Sequence, residues 1–540
     1  MPNLSVPDKE RNRLLRRADW RFLLPTPAPR KSICFADGVL AEATAAVSEV
    51  CLQADDSGES LCDYDLAVAA DPAEATLHRA WKTLRPGGSC YIEWNTIWPG
   101  PAGLRRRLEA AGFEEVTCYA PRPRPDHGAR AWLPLESDRA VRYFLARLSW
   151  RRGGLRRFPQ WLRAVAWQCN WRLRFAVPLC TLSRKPLSEP APPRSKKPER
   201  TRALTRGLSP QLEGELVANW EGWGFGSPPQ ELSTLLVTPG KRSINKAVGI
   251  VFGESDARPR IVVKRARVPE SVPPMRNEAE ALRAVQRRPG GLQGAPCVLF
   301  CRELDGFLTL AESFIEGLPV AHVLGPENCR ALALLAADWS ADLARGTPSV
   351  ARDAWWGRLV EPVIASFEHD FGSVIDPGVF RDGLAVLSSL ESLPLVCEQR
   401  DFSPWNLLLT PDGRLGVLDW ESAKREGFPA LDVIYCLTYF SAYLDGSMHS
   451  DRLYEARRRC SDPATEMGSI AQECLERYLG KVGISAAALH PLALLTWMIH
   501  ARSDYKHFCL DLGKPPDHAT LKRSAFLQLW YQELGSKAAK

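Results

Sequence analysis

The 540-residue sequence contains no Cys-x-x-Cys pair, although it has 15 cysteines. An odd and dispersed set of cysteines argues against a disulfide framework or a conventional zinc site and favours buried reduced thiols. The N-terminus has no apolar core of the length that a signal peptide needs. No run approaches the roughly 18 apolar residues of a membrane-spanning helix. These absences predict a cytoplasmic protein.

Acidic residues are missing from residues 139–188, which contain twelve Arg or Lys residues. Tryptophans alternate with the arginines there, as at Trp161 and Trp167. The pattern fits a helical insertion with a solvated basic face, or an amphipathic helix that rests on anionic lipid at the inner face of a membrane. No recognisable nucleic-acid-binding module is present, so we expect no nucleic-acid partner. Peripheral contact of residues 139–185 with an anionic membrane stays open.

The length of the chain exceeds what one ordinary core supports, so we expect more than one domain. Hydrophobic residues make up 45% and charged residues 25%, which is typical of a globular protein. Residues 186–203 are dominated by Pro, Ser and charge and are predicted to be a linker. We therefore predict an N-terminal domain over 30–185, with a basic Trp-rich insertion at about 136–175, and a second domain over 204–540.

The N-terminal domain alternates strands and helices. YDLAVAADP (64–72) and SCYIEW (89–94) have the pattern of strands, RPGG (85–88) that of a turn, and LRRRLEAAGF (104–113) that of an amphipathic helix. This alternation predicts an α/β domain with a largely parallel sheet. Residues 60–120 resemble the second half of class I S-adenosylmethionine-dependent methyltransferases, which implies a Rossmann-like fold. The glycine-rich cofactor loop is reduced to Gly38, so bound S-adenosylmethionine is not expected.

The second domain begins with three predicted strands, at 232–238, 247–253 and 260–266, and a predicted helix at 276–288. Lys264 lies within the third strand, where a lysine ordinarily extends toward solvent. Glu278 follows on the helix. A strand lysine tied to a helix glutamate is the arrangement that holds nucleotide phosphates in kinases.

The stretch CEQRDFSPWNLLLTPDGRLGVLDWE (397–421) is predicted to form a β-hairpin with a turn at PDG. Antiparallel pairing places Asn406 and Asp419 at the same end of the hairpin, with Asp401 just upstream. Amide and carboxylate oxygens suit Mg²⁺, and Asp401 is then available as a base. Turn chemistry alone is the alternative, but Lys264, Glu278, Asp401, Asn406 and Asp419 in this order favour phosphoryl transfer.

Residues 230–520 resemble the aminoglycoside phosphotransferase and choline kinase family. The catalytic motif stands as Gln399-Arg400-Asp401 through Asn406, followed by VLDWE (417–421) and GFPALD (427–432). The resemblance implies a two-lobed protein-kinase-like fold, with an N-lobe at about 230–311 and a C-lobe at about 317–540. The predicted fold class is thus α/β plus α+β.

The resemblance also implies the roles of individual residues. Asp401 is the catalytic base, and Asn406 and Asp419 hold Mg²⁺. Lys264 holds the phosphates of ATP with Glu278 behind it. The turn residues Gly240, Ser243 and Asn245 cover the nucleotide, and the backbone from Glu312 to Phe314 faces adenine. The family's usual His is replaced by Gln399, which can still brace the loop through hydrogen bonds.

We therefore predict an ATP- and Mg²⁺-dependent phosphotransferase that acts on a hydroxyl of a small molecule. The acceptor region is not crowded with the acidic side chains that a polycationic aminoglycoside needs, which favours a sugar or a surface-glycan metabolite. The alternative is a catalytically silent, kinase-like nucleotide-binding or scaffold module fused to a degenerate methyltransferase domain.

Overall fold

The computed structural model describes residues 8–54, 63–95, 99–125, 128–151, 178–187, 207–240, 245–254, 256, 258–288, 291–449, 452–512 and 514–535. Most of the Trp-rich insertion and of the linker lies outside these residues, as does Ser243. The chain divides into two compact units. The first comprises Met1–Val272 with Leu299–Phe314, and the second Pro273–Val298 with Ile315–Lys540.

The first unit is built on twelve strands. They are β1 (Lys31–Phe35), β2 (Val50–Gln53), β3 (Tyr64–Ala70), β4 (Leu84–Trp94), β5 (Glu114–Arg122), β6 (Ala131–Pro134), β7 (Leu179–Arg184), β8 (Leu232–Val237), β9 (Ala247–Gly253), β10 (Ile261–Arg265), β11 (Val298–Leu304) and β12 (Phe307–Ser313). Its helices are α1 (Asp8–Arg17), a 3-10 helix (Asp19–Leu23), α2 (Val39–Val47), α3 (Glu74–Thr83), α4 (Gly100–Ala110), α5 (Asp138–Arg151) and α6 (Pro210–Asn219).

The N-terminal strands form the predicted α/β sheet. β2, β1, β3 and β4 are parallel neighbours, and the antiparallel β7 lies between β4 and β5. The prediction that RPGG forms a turn between a helix and a strand is wrong, because residues 85–88 lie within β4. There the pairing skips from Leu84, opposite Tyr64, to Ser89, opposite Leu66. Gly87, with φ of 76°, allows this bulge.

The strands predicted at 232–266 are confirmed as β8, β9 and β10, which pair in antiparallel fashion. β8 also pairs with β6, through Ala131 opposite Val237 and Trp132 opposite Leu236. This pairing joins the two sets of strands into one sheet in the order β11-β12-β10-β9-β8-β6-β5-β7-β4-β3-β1-β2. The first compact unit therefore extends past the predicted linker. The predicted domain boundaries follow family resemblance and stay predictions.

The second unit is mainly helical. Its helices are α7 (Val272–Gln286), α8 (Val320–Val323), α9 (Cys329–Ala344), α10 (Glu361–Phe371), α11 (Pro377–Leu387), α12 (Leu431–Leu444), α13 (Leu453–Ser461), α14 (Glu466–Val482), α15 (Leu489–Leu512), α16 (His518–Lys522) and α17 (Ala525–Glu533). Its strands are β13 (Leu318–Pro319), β14 (Ser349–Val350), β15 (Leu393–Pro394), β16 (Val396–Glu398), β17 (Leu407–Leu409), β18 (Leu415–Val417) and β19 (Lys424–Gly427).

The predicted hairpin is confirmed as β17 and β18, with Leu407 opposite Val417. Gly413, with φ of 77°, provides the left-handed turn residue that the fold-back requires. Trp339 of α9 packs beneath the hairpin, stacked on Phe402 at 5.5 Å between ring centroids and in edge contact with Trp420 at 6.0 Å. These buried rings seat the catalytic segment on the helical core.

Among the described residues, no single helix has the length and apolar character of a membrane span. One sharply bent pair, Glu466–Val482 with Ala486–Cys509, meets that criterion only when the two helices are counted together.

Candidate active site

The loop between β16 and β17 gathers the predicted base and a predicted metal ligand. The Asn406 side-chain amide donates to the Asp401 backbone carbonyl at 2.9 Å and to its Oδ2 at 2.7 Å. Both amide hydrogens are thereby engaged, which leaves Oδ1 of Asn406 as the atom suited to a cation. The loop thus orients the Asp401 carboxylate and one oxygen ligand together.

Gln399 connects this loop to the strand end that carries Asp419. The Oε1 atom of Gln399 accepts from the backbone N–H of Asp401 at 2.7 Å. Its Nε2 atom donates to the carbonyls of Leu418 at 2.9 Å and Asp419 at 2.7 Å. The side chain is fully buried. The bracing that was expected of Gln399 is present in this geometry.

Asp432, at the start of α12, holds the same loop from the other side. Its carboxylate accepts from the backbone N–H groups of Gln399 at 2.7 Å and Arg400 at 2.8 Å. Arg400 has φ of 68°, a conformation that these bonds stabilise. Burial, and secondarily the charge of Glu398, raises the pKa of Asp432 to about 7. Asp432 therefore positions the loop.

The electrostatics of the site favour a cation. Burial, and after it the charge of Asp419, raises the pKa of Asp401 to about 8. A positive charge placed near the buried Asp401 carboxylate would stabilise its ionised form. No cluster of three or more His, Cys, Asp or Glu side chains with metal-binding geometry occurs in the part of the chain that the structure describes. Asn406 and Asp419 fit Mg²⁺, which takes few protein ligands and keeps water or phosphate as the others.

Helix α7 supports the segment that follows Asp419. The Asn277 side-chain amide donates to the carbonyls of Glu421 and Ala423, both at 2.9 Å. Glu278, fully buried, accepts from the backbone N–H of Trp420 at 3.1 Å. Sequence reasoning missed Asn277, which no motif marks. Glu278 was expected behind Lys264, and that pairing stays a prediction.

Lys264 makes an ion pair within the first unit. Its Nζ atom lies 2.7 Å from Oε1 of Glu312, and both side chains are almost fully buried. The register explains the contact, because Lys264 lies opposite Leu310 and Glu312 is two residues further on the same face of β12. Glu312 had been expected to contribute through its backbone. The sequence of β12 gave no sign of this role, because almost all of its residues are buried and no alternation marks one face.

The hinge and turn residues are also in the first unit. The backbone N–H of Phe314 donates to the carbonyl of Arg260 at 2.9 Å, so this N–H is already used within the sheet. Gly240 has φ of 78°, and a Cβ atom there would lie 1.8 Å from Nδ2 of Asn245. The turn thus needs glycine at this position. Ser243 lies outside the described residues.

The comparisons with known proteins point to one family. Residues 250–460 match the family model described as the phosphotransferase enzyme family. No curated protein sequence matches the chain significantly.

Solved structures give distant similarities. The aminoglycoside phosphotransferase APH(4)-Ia, solved with ADP and hygromycin B, shares 14% identity over 59% of this chain and 98% of its own, with a TM-score of 0.36. APH(3'')-Id from Streptomyces rimosus shares 16% over 52% and 97%, with a TM-score of 0.29. A phosphoethanolamine N-methyltransferase from Haemonchus contortus shares 12% over 29% and 49%, with a TM-score of 0.18. At these values the three structures establish nothing about activity.

The family match confirms the sequence-based assignment and the class of enzyme, an ATP-dependent phosphotransferase that acts on a small-molecule hydroxyl. It covers the strands that carry Lys264 and Glu312 and the loop that carries Asp401 and Asn406. Over residues 250–460, the C-terminal part of the chain is similar to the phosphotransferase enzyme family.

Proposed function

We propose that the chain transfers the γ-phosphate of Mg·ATP to a hydroxyl of a sugar or a surface-glycan metabolite. The observation that carries the proposal is the catalytic loop, in which Asn406 holds the Asp401 carboxylate at 2.7 Å while Gln399 and Asp432 fix the backbone on either side. A catalytically silent module would not need a base that is held in place by so many hydrogen bonds. All the residues that the chemistry requires are present.

In this mechanism Asp401 accepts the proton of the acceptor hydroxyl as its oxygen attacks the γ-phosphorus. The bond from that phosphorus to the bridging oxygen breaks, and its electron pair leaves with ADP. Asn406 and Asp419 would hold Mg²⁺, which would supply positive charge to balance the phosphates. Lys264, oriented by Glu312, supplies the fixed positive charge for the same phosphates.

Aromatic side chains beside the catalytic loop support a sugar acceptor. Trp405 is 39% exposed and meets Tyr439 edge-on at 5.1 Å. Tyr435 lies 4.6 Å from Tyr439 and stacks on His500 at 4.2 Å. Burial raises the pKa of both tyrosines, and the negative charge of Asp401 contributes a smaller part of each shift. The exposed ring of Trp405, supported by these tyrosines, suits the apolar face of a sugar ring better than it suits a polycation.

The N-terminal domain is proposed to be a scaffold. Gly38 is the one glycine of the loop before α2, and Gln53 donates to the carbonyl of Ala36 at 2.7 Å within the same region. This side chain ties the loop down where a cofactor would need access. We propose that S-adenosylmethionine does not bind and that the protein works in the cytoplasm.

The test is phosphate transfer from radiolabelled Mg·ATP to a panel of neutral sugars, nucleotide-linked sugars and aminoglycosides. We expect product with a sugar and none with Asp401→Asn, which keeps the shape of the loop but cannot accept the proton. Transfer to aminoglycosides alone would refute the proposed acceptor class. Equal ATP turnover by the native chain and Asp401→Asn would identify a catalytically silent module.

Calorimetric titration with S-adenosylmethionine tests the proposal that the N-terminal domain is a scaffold. Binding of S-adenosylmethionine would overturn that proposal.

A further inference from the structure

We propose that the N-terminal segment Asp8–Leu24 positions the nucleotide-binding turn at Gly240 and the strand that carries Lys264, with Arg16 and Asp19 as positioning residues. The inference rests on the proposed function, since it assigns this segment a part in nucleotide binding. It concerns contacts within the first compact unit only. Nothing in the kinase-like motifs marks these residues.

Arg16, near the end of α1, contacts the turn directly. Its Nη1 atom donates to the carbonyl of Gly240 at 2.5 Å. Immediately before the turn, the backbone N–H of Thr238 donates to the carbonyl of Arg130 at 2.7 Å. The beginning of the turn is therefore held by residues that precede the phosphotransferase family match. A charge-assisted bond to a backbone carbonyl is among the stronger single hydrogen bonds in proteins.

Asp19 contacts the segment that directly follows the strand of the lysine. Its Oδ1 atom lies 2.8 Å from Nε of Arg267, and both side chains are completely buried. Arg21 donates to the carbonyl of Arg267 at 3.0 Å. Arg267 lies three residues after Lys264. A buried ion pair constrains position strongly, because displacing either partner leaves an uncompensated charge.

The segment is anchored at its other side to the N-terminal sheet. Arg17 bonds both oxygens of Glu93 on β4, at 2.6 and 2.5 Å. Trp20 stacks on Tyr91 of the same strand, with ring centroids 4.1 Å apart and planes 6° apart. The segment thus connects β4 to Gly240 through contacts at both places. The fused N-terminal domain would determine where Gly240 lies before nucleotide binds.

Arg16→Ala in the full chain tests this proposal, with Arg13→Ala as the matched control. Arg13 lies on the same helix but is exposed and bonds Glu10. We expect Arg16→Ala to weaken binding of the non-hydrolysable analogue AMP-PNP with Mg²⁺ about tenfold, and to raise KM for ATP far more than it lowers kcat for ATP hydrolysis. Arg16→Lys should restore part of the affinity, and Arg13→Ala should bind as the native chain does.

A second measurement is independent of nucleotide. Hydrogen exchange of the peptide that covers residues 236–247 should be faster in Arg16→Ala than in Arg13→Ala without ligand. Equal exchange and equal affinity in the two variants would overturn the proposal. If the native chain does not bind Mg·AMP-PNP, the proposed function fails and the inference fails with it. If the native chain binds and Arg16→Ala binds equally well, the inference alone fails.

Discussion

Three backbone groups converge on the side chain of Gln399: the N–H of Asp401 and the carbonyls of Leu418 and Asp419. Gln399→Ala leaves all three buried and unpaired, at a cost of about 1–3 kcal/mol each before relaxation. We expect a loss of about 3 kcal/mol in unfolding free energy and at least a tenfold fall in phosphotransfer, measured by denaturant titration and initial rates.

The control for this prediction is Gln472→Ala, because Gln472 is exposed and bonds Glu476 one helical turn away. It should change stability by less than about 0.5 kcal/mol. Gln399→His should lose less than Gln399→Ala, since an imidazole offers one donor and one acceptor. Equal behaviour of Gln399→Ala and Gln472→Ala would show that the brace is not needed.

His500 makes the stability of the second unit sensitive to acid. Burial lowers the pKa of His500 to about 3, against about 6.5 for the free side chain. The unfolded chain therefore takes up a proton first, and stability is lost as pH falls from 6.5 toward 3, by at most about 1.4 kcal/mol per pH unit. His500→Phe keeps the stacking on Tyr435 and should remove the part of the acid-induced loss of stability that is due to His500. Unfolding free energies of both proteins at pH 7 and pH 5 test it, and parallel losses would contradict it.

The edge of the catalytic hairpin depends on close backbone contact with the segment before β11. The backbone N–H of Val417 donates to the carbonyl of Gly294 at 2.7 Å. A Cβ atom on Gly294 would lie 1.9 Å from the carbonyl oxygen of Leu415. Gly294→Ala must therefore displace β18, and with it Asp419. We expect a loss of about 3 kcal/mol in unfolding free energy together with reduced activity.

Gly291 provides the comparison, because it also has a positive φ of 61° but nothing lies within 4 Å of its Cβ position. Gly291→Ala should cost only the conformational strain, about 1 kcal/mol. Chemical denaturation of both variants separates the two contributions. If Gly294→Ala were as stable as Gly291→Ala, β18 would accommodate the added methyl group without the predicted cost.

Elements with a local signature were predictable from sequence, and contacts between distant elements were not. The PDG turn and the alternation around it predicted the pairing of β17 with β18, and a Lys within an apolar run marked β10. The partner of that lysine, Glu312, depends on strand register, which sequence does not specify without a turn of known length. Asn277 and Asp19 carry no local signal at all. Their roles come from backbone groups or charges that lie far away in the chain.

At the scale of the whole molecule, the pairing of β6 with β8 could not be predicted from the sequence. β6 is only four residues long, and the linker predicted at 186–203 suggested that the parts on either side fold independently. Short strands carry too little periodicity to be recognised, and their partners are set by tertiary contacts. The N-terminal sheet therefore covers the edge of β8 at Leu236 and Val237.

This continuity predicts how the C-terminal part behaves alone. A protein comprising residues 204–540 loses β6, so β8 becomes an open edge, which promotes aggregation. It also loses Asp19 and with it the buried ion pair with Arg267, at a cost of about 3–5 kcal/mol. We expect low soluble yield and a Tm well below that of the full chain. In the shortened protein, Arg267→Met removes the charge that Asp19 had balanced and should recover part of the Tm. In the full chain, the same change should lower the Tm, because Asp19 loses Arg267. Equal Tm for residues 204–540 and the full chain would show that the two parts fold independently after all.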